Sequence, residues 1–187
     1  NYSNWPKIMI KVNYYLLGFV CALSGFSSVV DAERVHICRN QNEIPATTPD
    51  SRFNEHADGT LTDTQTGLMW AQCIEGMSGS GCTTGSADTY TWQAALNRAD
   101  SSTLASYHDW RLPNINELVS IVEEQCYDPA INLSIFPNTP TIASNFWSAS
   151  PYANLSNSAW AVFFYNGMSG VYGRDSSLYV RLVRDGQ

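Results

Sequence analysis

The chain has 187 residues, of which 44% are apolar, 12% aromatic and 14% charged, a composition typical of one compact folded domain. Its 10 Lys and Arg residues against 17 Asp and Glu residues give a net charge of −7, so its overall field repels nucleic acids and anionic lipid surfaces. No stretch reaches the roughly 18 to 20 uninterrupted apolar residues of a membrane-spanning helix, so we do not expect an integral membrane protein.

The first 32 residues have the pattern of an export signal. Met9 and Lys11 precede an apolar run over residues 12–23, and the small residues Val30 and Ala32 occupy the positions that a signal peptidase reads. We therefore expect cleavage after Ala32 and a protein that is secreted, periplasmic or held at the cell surface.

Other interpretations of this N-terminal segment stay open. Lipid attachment at Cys21 is one alternative, and a buried N-terminal helix is another. Under the export interpretation, residues 1–8 lie upstream of the initiating methionine, and the mature chain contains no lysine.

Four cysteines remain after this cleavage, and in an exported chain they are expected to form two disulfides. Three pairings are possible. The flexible Gly/Ser-rich segment 74–81 favours a bond between Cys73 and Cys82, which leaves Cys38 to pair with Cys126. The Cys-x-x-Cys spacing of a zinc site is missing, so we predict no metal site and no cofactor.

The mature chain begins with an arm and continues into short strands. Residues 33–51 carry Pro45 and Pro49 among polar residues and are expected to be extended. Two turn signals follow, Asp58-Gly59 and Thr66-Gly67, each between short alternating segments, and they predict antiparallel hairpins.

Two helices and a run of strands are predicted after the hairpins. The segment Tyr90–Ala99 is amphipathic with Thr91 as a candidate N-cap, and residues 115–125 have helical spacing after Asn114, a second candidate cap. Strands are predicted over three later segments, at Asn145–Ser150, Ala159–Tyr165 and Tyr179–Arg184. This order predicts an α+β fold with two helices and a mostly antiparallel sheet formed late in the chain.

The tryptophans within the domain are better explained as core residues than as exposed sugar-stacking platforms, because burying an indole ring stabilises a small domain strongly. This expectation covers Trp70, Trp92, Trp110 and Trp147. Structural roles are likewise expected for four charged residues, namely Asp58, Asp63, Asp109 and Arg111.

The sequence does not favour an enzyme. Its histidines, His36, His56 and His108, lie in polar, turn-like contexts, and no Gly-x-Ser-x-Gly or His-Glu-x-x-His motif is present. We therefore predict no catalytic residues, and a cryptic hydrolase is kept as an alternative.

Several motifs occur in a fixed order over residues 52–187. They are DGTLTDTQTGLMW (58–70), YTWQAAL (90–96), DWRLPNINEL (109–118), FPNTP (136–140), FWSASPYA (146–153) and YVRLVRDGQ (179–187). Together these segments resemble the Lcl C-terminal domain family. That family is named for the C-terminal domain of a bacterial collagen-like adhesin. The resemblance therefore implies a surface or secreted protein that adheres to host glycans such as glycosaminoglycans, and a C-type-lectin-like fold of the kind that disulfides tie together.

Two features depart from that adhesin. The chain has no Gly-X-Y collagen repeat, so the oligomeric state of the adhesin does not carry over. Its acidic charge also disfavours a sulfated polyanion, unless a local cluster such as Arg174, Arg181 and Arg184 is exposed, since screening limits each charge to about 8 Å.

A narrower resemblance covers residues 147–187, which look like the variable region of proteins diversified by retroelements. Framework-like residues there alternate with positions rich in Asn, Ser, Tyr and Asp, which single adenine changes in an Asn codon can produce and which suit adaptable binding surfaces. Ordinary polar loops over a sheet would contain similar residues. The candidate ligand contacts are Asn154, Leu155, Asn157, Ser158, Phe163, Tyr165, Met168, Ser169, Tyr172, Arg174, Asp175, Ser176 and Leu178.

The combined interpretation is an exported, non-enzymatic, adhesin-like module. Its loops between Asn154 and Leu178 would contact a protein or glycan ligand at a cell surface, and a retroelement would diversify them. The main alternative is a structural subunit of a surface assembly that uses the same face to contact its neighbours.

Overall fold

The computed structural model of the chain describes residues 37–140, 142 and 144–186. The expected signal peptide, its cleavage site after Ala32, the alternative lipidation at Cys21 and the first residues of the arm lie outside the described residues. Within them, no helix has the length and apolar character needed to cross a membrane.

The described residues form two α-helices and thirteen short strands. The helices are α1 (Trp92–Asp100) and α2 (Ile115–Ser120). The strands are β1 (Ile37–Cys38), β2 (Phe53–Glu55), β3 (Thr60–Asp63), β4 (Leu68–Ala71), β5 (Met77–Ser78), β6 (Thr84–Gly85), β7 (Thr89–Tyr90), β8 (Cys126–Tyr127), β9 (Asn145–Pro151), β10 (Ser158–Phe163), β11 (Met168–Gly173), β12 (Leu178–Tyr179) and β13 (Val183–Asp185).

Two larger sheets organise the fold. A five-stranded sheet has the order β11-β10-β9-β12-β7, and a four-stranded sheet has the order β13-β4-β3-β2. Every pairing in them is antiparallel except that of β12 with β9, where Tyr179 lies opposite Phe146. Two-stranded pairs β1-β8 and β5-β6 complete the described sheets. The predicted α+β class with mainly antiparallel strands is therefore confirmed.

The early hairpins follow the predicted turns. Strands β2 and β3 pair across the Asp58-Gly59 turn, and β3 pairs with β4 across the Thr66-Gly67 turn. The carboxylate of Asp58 accepts a hydrogen bond from the Thr60 hydroxyl, which holds the first turn.

Asp63 braces the second turn. Its carboxylate is buried, accepts hydrogen bonds from the guanidinium group of Arg52 and the hydroxyl of Thr66, and forms an ion pair with that arginine. The predicted structural role of both aspartates is thus confirmed.

Both helices form, with one cap as predicted and one without. The side chain of Asn114 accepts from the backbone N–H of Glu117, and the Glu117 carboxylate accepts from the backbone N–H of Asn114, which completes a capping box. Thr91 lies at the N-cap of α1 but its side chain makes no capping bond. Helix α2 ends at Ser120 rather than near Gln125, and beyond it the backbone N–H of Glu123 donates to the carbonyl of Ala130 instead of continuing the helical ladder.

The two predicted disulfides are both present. Cys73 bonds to Cys82, which lies 9 positions further along the chain, and Cys38 bonds to Cys126, which lies 88 positions further along. The longer link ties β1 in the N-terminal arm to β8, which follows α2, where Ile37 and Cys38 pair with Tyr127 and Cys126.

The core contains three of the four tryptophans that were expected to be buried. Trp70, Trp110 and Trp147 are buried, whereas Trp92 is only half-buried at the start of α1.

Asp109 and Arg111 have the expected structural roles, since Asp109 binds the guanidinium group of Arg184 and Arg111 binds Glu117.

Two strand predictions need correction. The segment Tyr179–Arg184 does not form one strand: β12 ends at Tyr179 and β13 begins at Val183, so the chain passes from one large sheet to the other. The stretch Met168–Gly173, expected to be part of a ligand-binding loop, is the outer strand β11.

Candidate ligand-binding surface

The register of β9, β10 and β11 separates the predicted ligand contacts into two groups. The β9–β10 loop and the segment after β11 meet at one end of these strands, and the β10–β11 turn lies at the other. Strand β10 runs from Ser158 to Phe163, so at about 3.4 Å per residue the two groups lie ~17 Å apart. We call residues 152–157 with 174–177 the paired-loop end, and residues 163–169 the hairpin end.

The paired-loop end is held together by its backbone. The backbone N–H of Arg174 donates to the carbonyl of Asn157 at 2.8 Å and joins the two segments. Within the β9–β10 loop, the N–H of Leu155 donates to Tyr152 and the N–H of Ser158 donates to Leu155. The loop conformation thus depends on peptide groups, which remain when a side chain is exchanged.

Four of the predicted contacts project from the paired-loop end into solvent. Asn154, Asn157 and Asp175 are exposed, and Leu155 retains 54% of its accessible surface. The side-chain amide of Asn154 donates to the Tyr152 hydroxyl, within the same loop. A ligand at this end would meet two amides, one carboxylate and one aliphatic side chain.

Arg174 and Ser176 belong to the support of this end more than to its exposed tip. The Arg174 guanidinium donates from Nε to the carbonyl of Ser158 and lies over the ring of Trp92, with Cζ 4.1 Å from the ring centroid. The backbone carbonyl of Arg174 accepts from the N–H of Trp92, at the start of α1. Ser176 is half-buried, and its N–H donates to the carbonyl of Gly173.

The hairpin end is more apolar. Met168 is 64% exposed, Ser169 is exposed, and the rings of Phe163 and Tyr165 stack with their centroids 5.5 Å apart. The backbone of Tyr165 is held to the segment after β8, because its carbonyl accepts a hydrogen bond from the N–H of Asp128 at 2.7 Å.

Gly167 closes this hairpin in a conformation that requires glycine. Its φ is +77°, and an added Cβ would lie 2.7 Å from Cγ1 of Val122. Its N–H donates to the carbonyl of Phe163. The turn therefore has a fixed shape against the core while the side chains beside it stay accessible.

The remaining predicted contacts lie inside the protein or against it. Ser158 and Leu178 are buried, so they do not face a ligand, and the prediction is corrected at these two positions. Tyr172 is half-buried and packs edge-on against Trp147 at 6.5 Å, which makes its ring part of the core boundary.

The arginine cluster considered for polyanion binding does not exist as a surface feature. Arg184 is 3% exposed and forms an ion pair with Asp109, whose pKa is lowered by the hydrogen bond from this guanidinium. Arg181 is fully buried and donates to the carbonyls of Ala71 and Gln72. Only Arg174 of the three reaches the surface, where its guanidinium is already engaged.

A cleft of about 810 Å³ lies away from the predicted contacts. It runs between the β2–β3 turn, the Cys73–Ser80 loop and the end of α1, with Asp58, Gln72, Glu75 and Arg98 among its lining residues. Arg98 and Glu75 form an ion pair across it. Within the described part of the chain, no group of three or more His, Cys, Asp or Glu side chains could hold a metal ion.

Comparison with known families agrees with the motifs. No curated protein matches the sequence. Residues 59–184 match the family model of the Lcl C-terminal domain, a range that includes both helices, strands β3 to β12 and both ends of the candidate surface. This match covers well over half of the sequence, and the chain therefore belongs to the Lcl C-terminal domain family.

Proposed function

We propose that the protein is an exported, non-enzymatic, adhesin-like module that binds a protein or glycan at a cell surface through the paired-loop end. The family membership supports an adhesin-like role. Two disulfides fit an oxidising, extracytoplasmic environment. Under this proposal the domain has a C-type-lectin-like fold, acts without a metal or cofactor, and binds neither nucleic acid nor membrane lipid.

One observation carries the proposal: at the paired-loop end, backbone groups hold the conformation, and exposed side chains offer the chemistry that a ligand would meet. Backbone hydrogen bonds set the path of both segments, while Asn154, Leu155, Asn157 and Asp175 point outward. Such positions can change their side chains without losing the contacts that hold the fold. This arrangement suits both a ligand-binding surface and a sequence diversified by a retroelement.

The ligand class is constrained by charge. Asp175 is the one carboxylate among the four outward side chains, and Arg174 contributes a cation at the base of the same end. The surface is therefore close to neutral although the whole chain has a charge of −7. A neutral, hydrogen-bonding ligand such as a glycan or an uncharged protein loop fits this surface better than a polyanion does.

The direct test replaces the outward side chains and measures attachment to cells. The variant carries alanine at the four outward positions, Asn154, Leu155, Asn157 and Asp175. Labelled protein is applied to fixed epithelial cells before and after treatment of the cells with glycosidases or with a protease. The matched control carries alanine at exposed positions elsewhere, namely Asn54, Gln65, Gln93 and Asp100.

We expect the first variant to lose cell attachment and to keep the thermal stability of the parent chain, and the control to keep both. Loss of attachment after glycosidase treatment would identify a glycan ligand, and loss only after protease treatment would identify a protein. Undiminished attachment by the first variant would contradict the proposal.

A further inference from the structure

We propose that two copies of this chain associate by antiparallel pairing of their β11 strands, which joins their five-stranded sheets into one continuous sheet. The proposal concerns a surface different from the paired-loop end. It rests on the outer edge of β11, Met168–Gly173, whose neighbour within the described residues is β10 on the inner side.

The backbone of β11 has hydrogen-bonding groups that point away from its sheet. The N–H of Arg174 donates to the carbonyl of Asn157, so Asn157 and Arg174 form a hydrogen-bonded pair at the end of the β10–β11 ladder. Because such pairs alternate along an antiparallel ladder, Tyr172 and Gly170 are bonded to β10. The N–H and C=O groups of Ser169 and Val171 then face outward.

This edge lacks the features that usually prevent strand pairing. Sheet edges are normally protected by charged residues, proline, bulges or short length. Strand β11 has six residues with neither charge nor proline, and its register with β10 is continuous over all six pairs. An extended backbone is the chemical partner that such an edge accepts.

The other edges of the two large sheets are protected. Strand β7, at the opposite edge of the five-stranded sheet, has two residues. Strand β2 has three residues and ends in Glu55. Strand β13 is bridged to Arg111 through Val183 and ends in Asp185. Among the edges of these two described sheets, β11 is therefore the one without such protection.

A second copy of β11 fits this edge better than a charged partner would. The edge carries no charge, and it is self-complementary when two copies pair antiparallel. A two-fold axis at Val171 sets Val171 opposite itself and Ser169 opposite Gly173 of the second copy. The nearest acidic residue, Asp175, is four positions from the axis, so the two Asp175 carboxylates would be separated by ~27 Å along the strands. That distance exceeds the screening length of about 8 Å, so the repulsion between them is small.

The test measures the mass of the chain by sedimentation equilibrium over a range of concentrations. The Val171→Pro substitution removes an N–H that points outward, so it removes no hydrogen bond to β10. Proline is tolerated at such positions of an edge strand. A second variant, Ser169→Lys, places a charge on the edge and alters no backbone group. Gln65→Lys, at an exposed turn of the other large sheet, is the charge-matched control.

We expect the parent chain and Gln65→Lys to double in mass reversibly as concentration rises, and both β11 variants to stay monomeric with unchanged circular dichroism. Amide hydrogen exchange gives a second readout. The N–H groups of Ser169 and Val171 should become protected only at high concentration, whereas those of Gly170 and Tyr172 should be protected throughout. Dimerisation that survives both substitutions would overturn the proposal, as would a parent chain that stays monomeric, including one whose β11 pairs instead with a strand of another protein.

Discussion

The guanidinium group of Arg174 lies 4.1 Å above the indole ring of Trp92 and joins the end of β11 to the start of α1. The same two residues are linked through their backbones, since the N–H of Trp92 donates to the Arg174 carbonyl at 3.0 Å. Trp92 also donates from Nε1 to the carbonyl of Ser148 in β9. Arg174 therefore anchors the paired-loop end to the scaffold.

Replacing Arg174 with alanine should destabilise the fold by about 1 to 2 kcal/mol, because it removes the cation–π contact and the hydrogen bond to Ser158. The neighbouring change Asp175→Ala should stay within about 0.5 kcal/mol of the parent chain, since Asp175 is exposed. Urea denaturation of both variants measures the difference. If Arg174→Ala lost cell attachment without losing stability, Arg174 would be a ligand contact and not an anchor.

The two disulfides should contribute unequally to stability. In the chain-entropy model the bond that closes 88 residues contributes about 4 to 5 kcal/mol and the bond that closes 9 residues about 3 kcal/mol. Replacing Cys38 and Cys126 together with alanine should therefore lower the free energy of unfolding more than replacing Cys73 and Cys82 together. Urea titrations of both double variants test this order, and the reverse order would contradict it.

Acid should loosen the contact between the N-terminal arm and the region after α2. The Glu123 carboxylate accepts hydrogen bonds from the backbone N–H groups of Thr47 and Thr48. Burial alone would raise the pKa of Glu123, but these bonds, with one from Gln125, lower it below its ordinary value of 4.5. A carboxyl group whose pKa is lowered by folding stabilises the fold above its ordinary pKa, and that stabilisation is lost as the pH falls through the folded value.

The variant Glu123→Gln isolates this effect. We expect it to be less stable than the parent chain at pH 7 by about 1 to 3 kcal/mol, because the neutral amide is a poorer acceptor for these donors. The difference should shrink as the pH falls from 4.5 through the lowered pKa of the folded carboxyl group, below which the parent side chain is also neutral. Urea midpoints measured from pH 7 to pH 3 check both trends, and a gap that stayed constant with pH would contradict this role of Glu123.

Arg181 should be among the most sensitive positions of the scaffold. Burial lowers the pKa of its guanidinium to about 9, and the acceptors that it binds among the described residues are two backbone carbonyls and one hydroxyl. It joins the end of β4 to Thr139 and lies over the ring of Phe136. Alanine at this position would leave buried carbonyls unpaired and create a cavity, so we expect a loss of about 3 kcal/mol or more.

The variant Arg181→Lys refines that prediction. A single ammonium group cannot reproduce the forked geometry that serves Ala71, Gln72 and Thr139 together, so lysine should recover only part of the lost stability. Thermal unfolding of the two variants beside the parent chain measures the recovery. Full recovery by lysine would show that charge alone matters at this position.

The sequence predicts a feature of the fold correctly where the residues that determine it are close together in the chain. The cap of α2 is readable because Asn114 and Glu117 are three positions apart, and the hairpin turns are readable from Asp58-Gly59 and Thr66-Gly67. The short disulfide follows for the same reason, since the flexible loop between Cys73 and Cys82 brings them together.

The failures involve contacts that are distant in sequence or patterns without periodicity. Strand β11 has glycine at Gly170 and Gly173 and no alternation of apolar residues, and it is a strand because β10 pairs with it along its length. The burial of Arg184 is not readable from the residues around it, because its partner Asp109 lies 75 positions away and pairs with it at the edge of the interior. Burial of a charged side chain depends on such a distant partner, which a local pattern does not reveal.

Randomising Asn154, Leu155, Asn157 and Asp175 together tests the central claim most directly, with melting temperature and attachment to epithelial cells measured for each member of the library. The account predicts that most members fold with melting temperatures within a few degrees of the parent chain, while attachment differs widely among them. A library in which most members fail to fold, or in which all members attach equally, would contradict it.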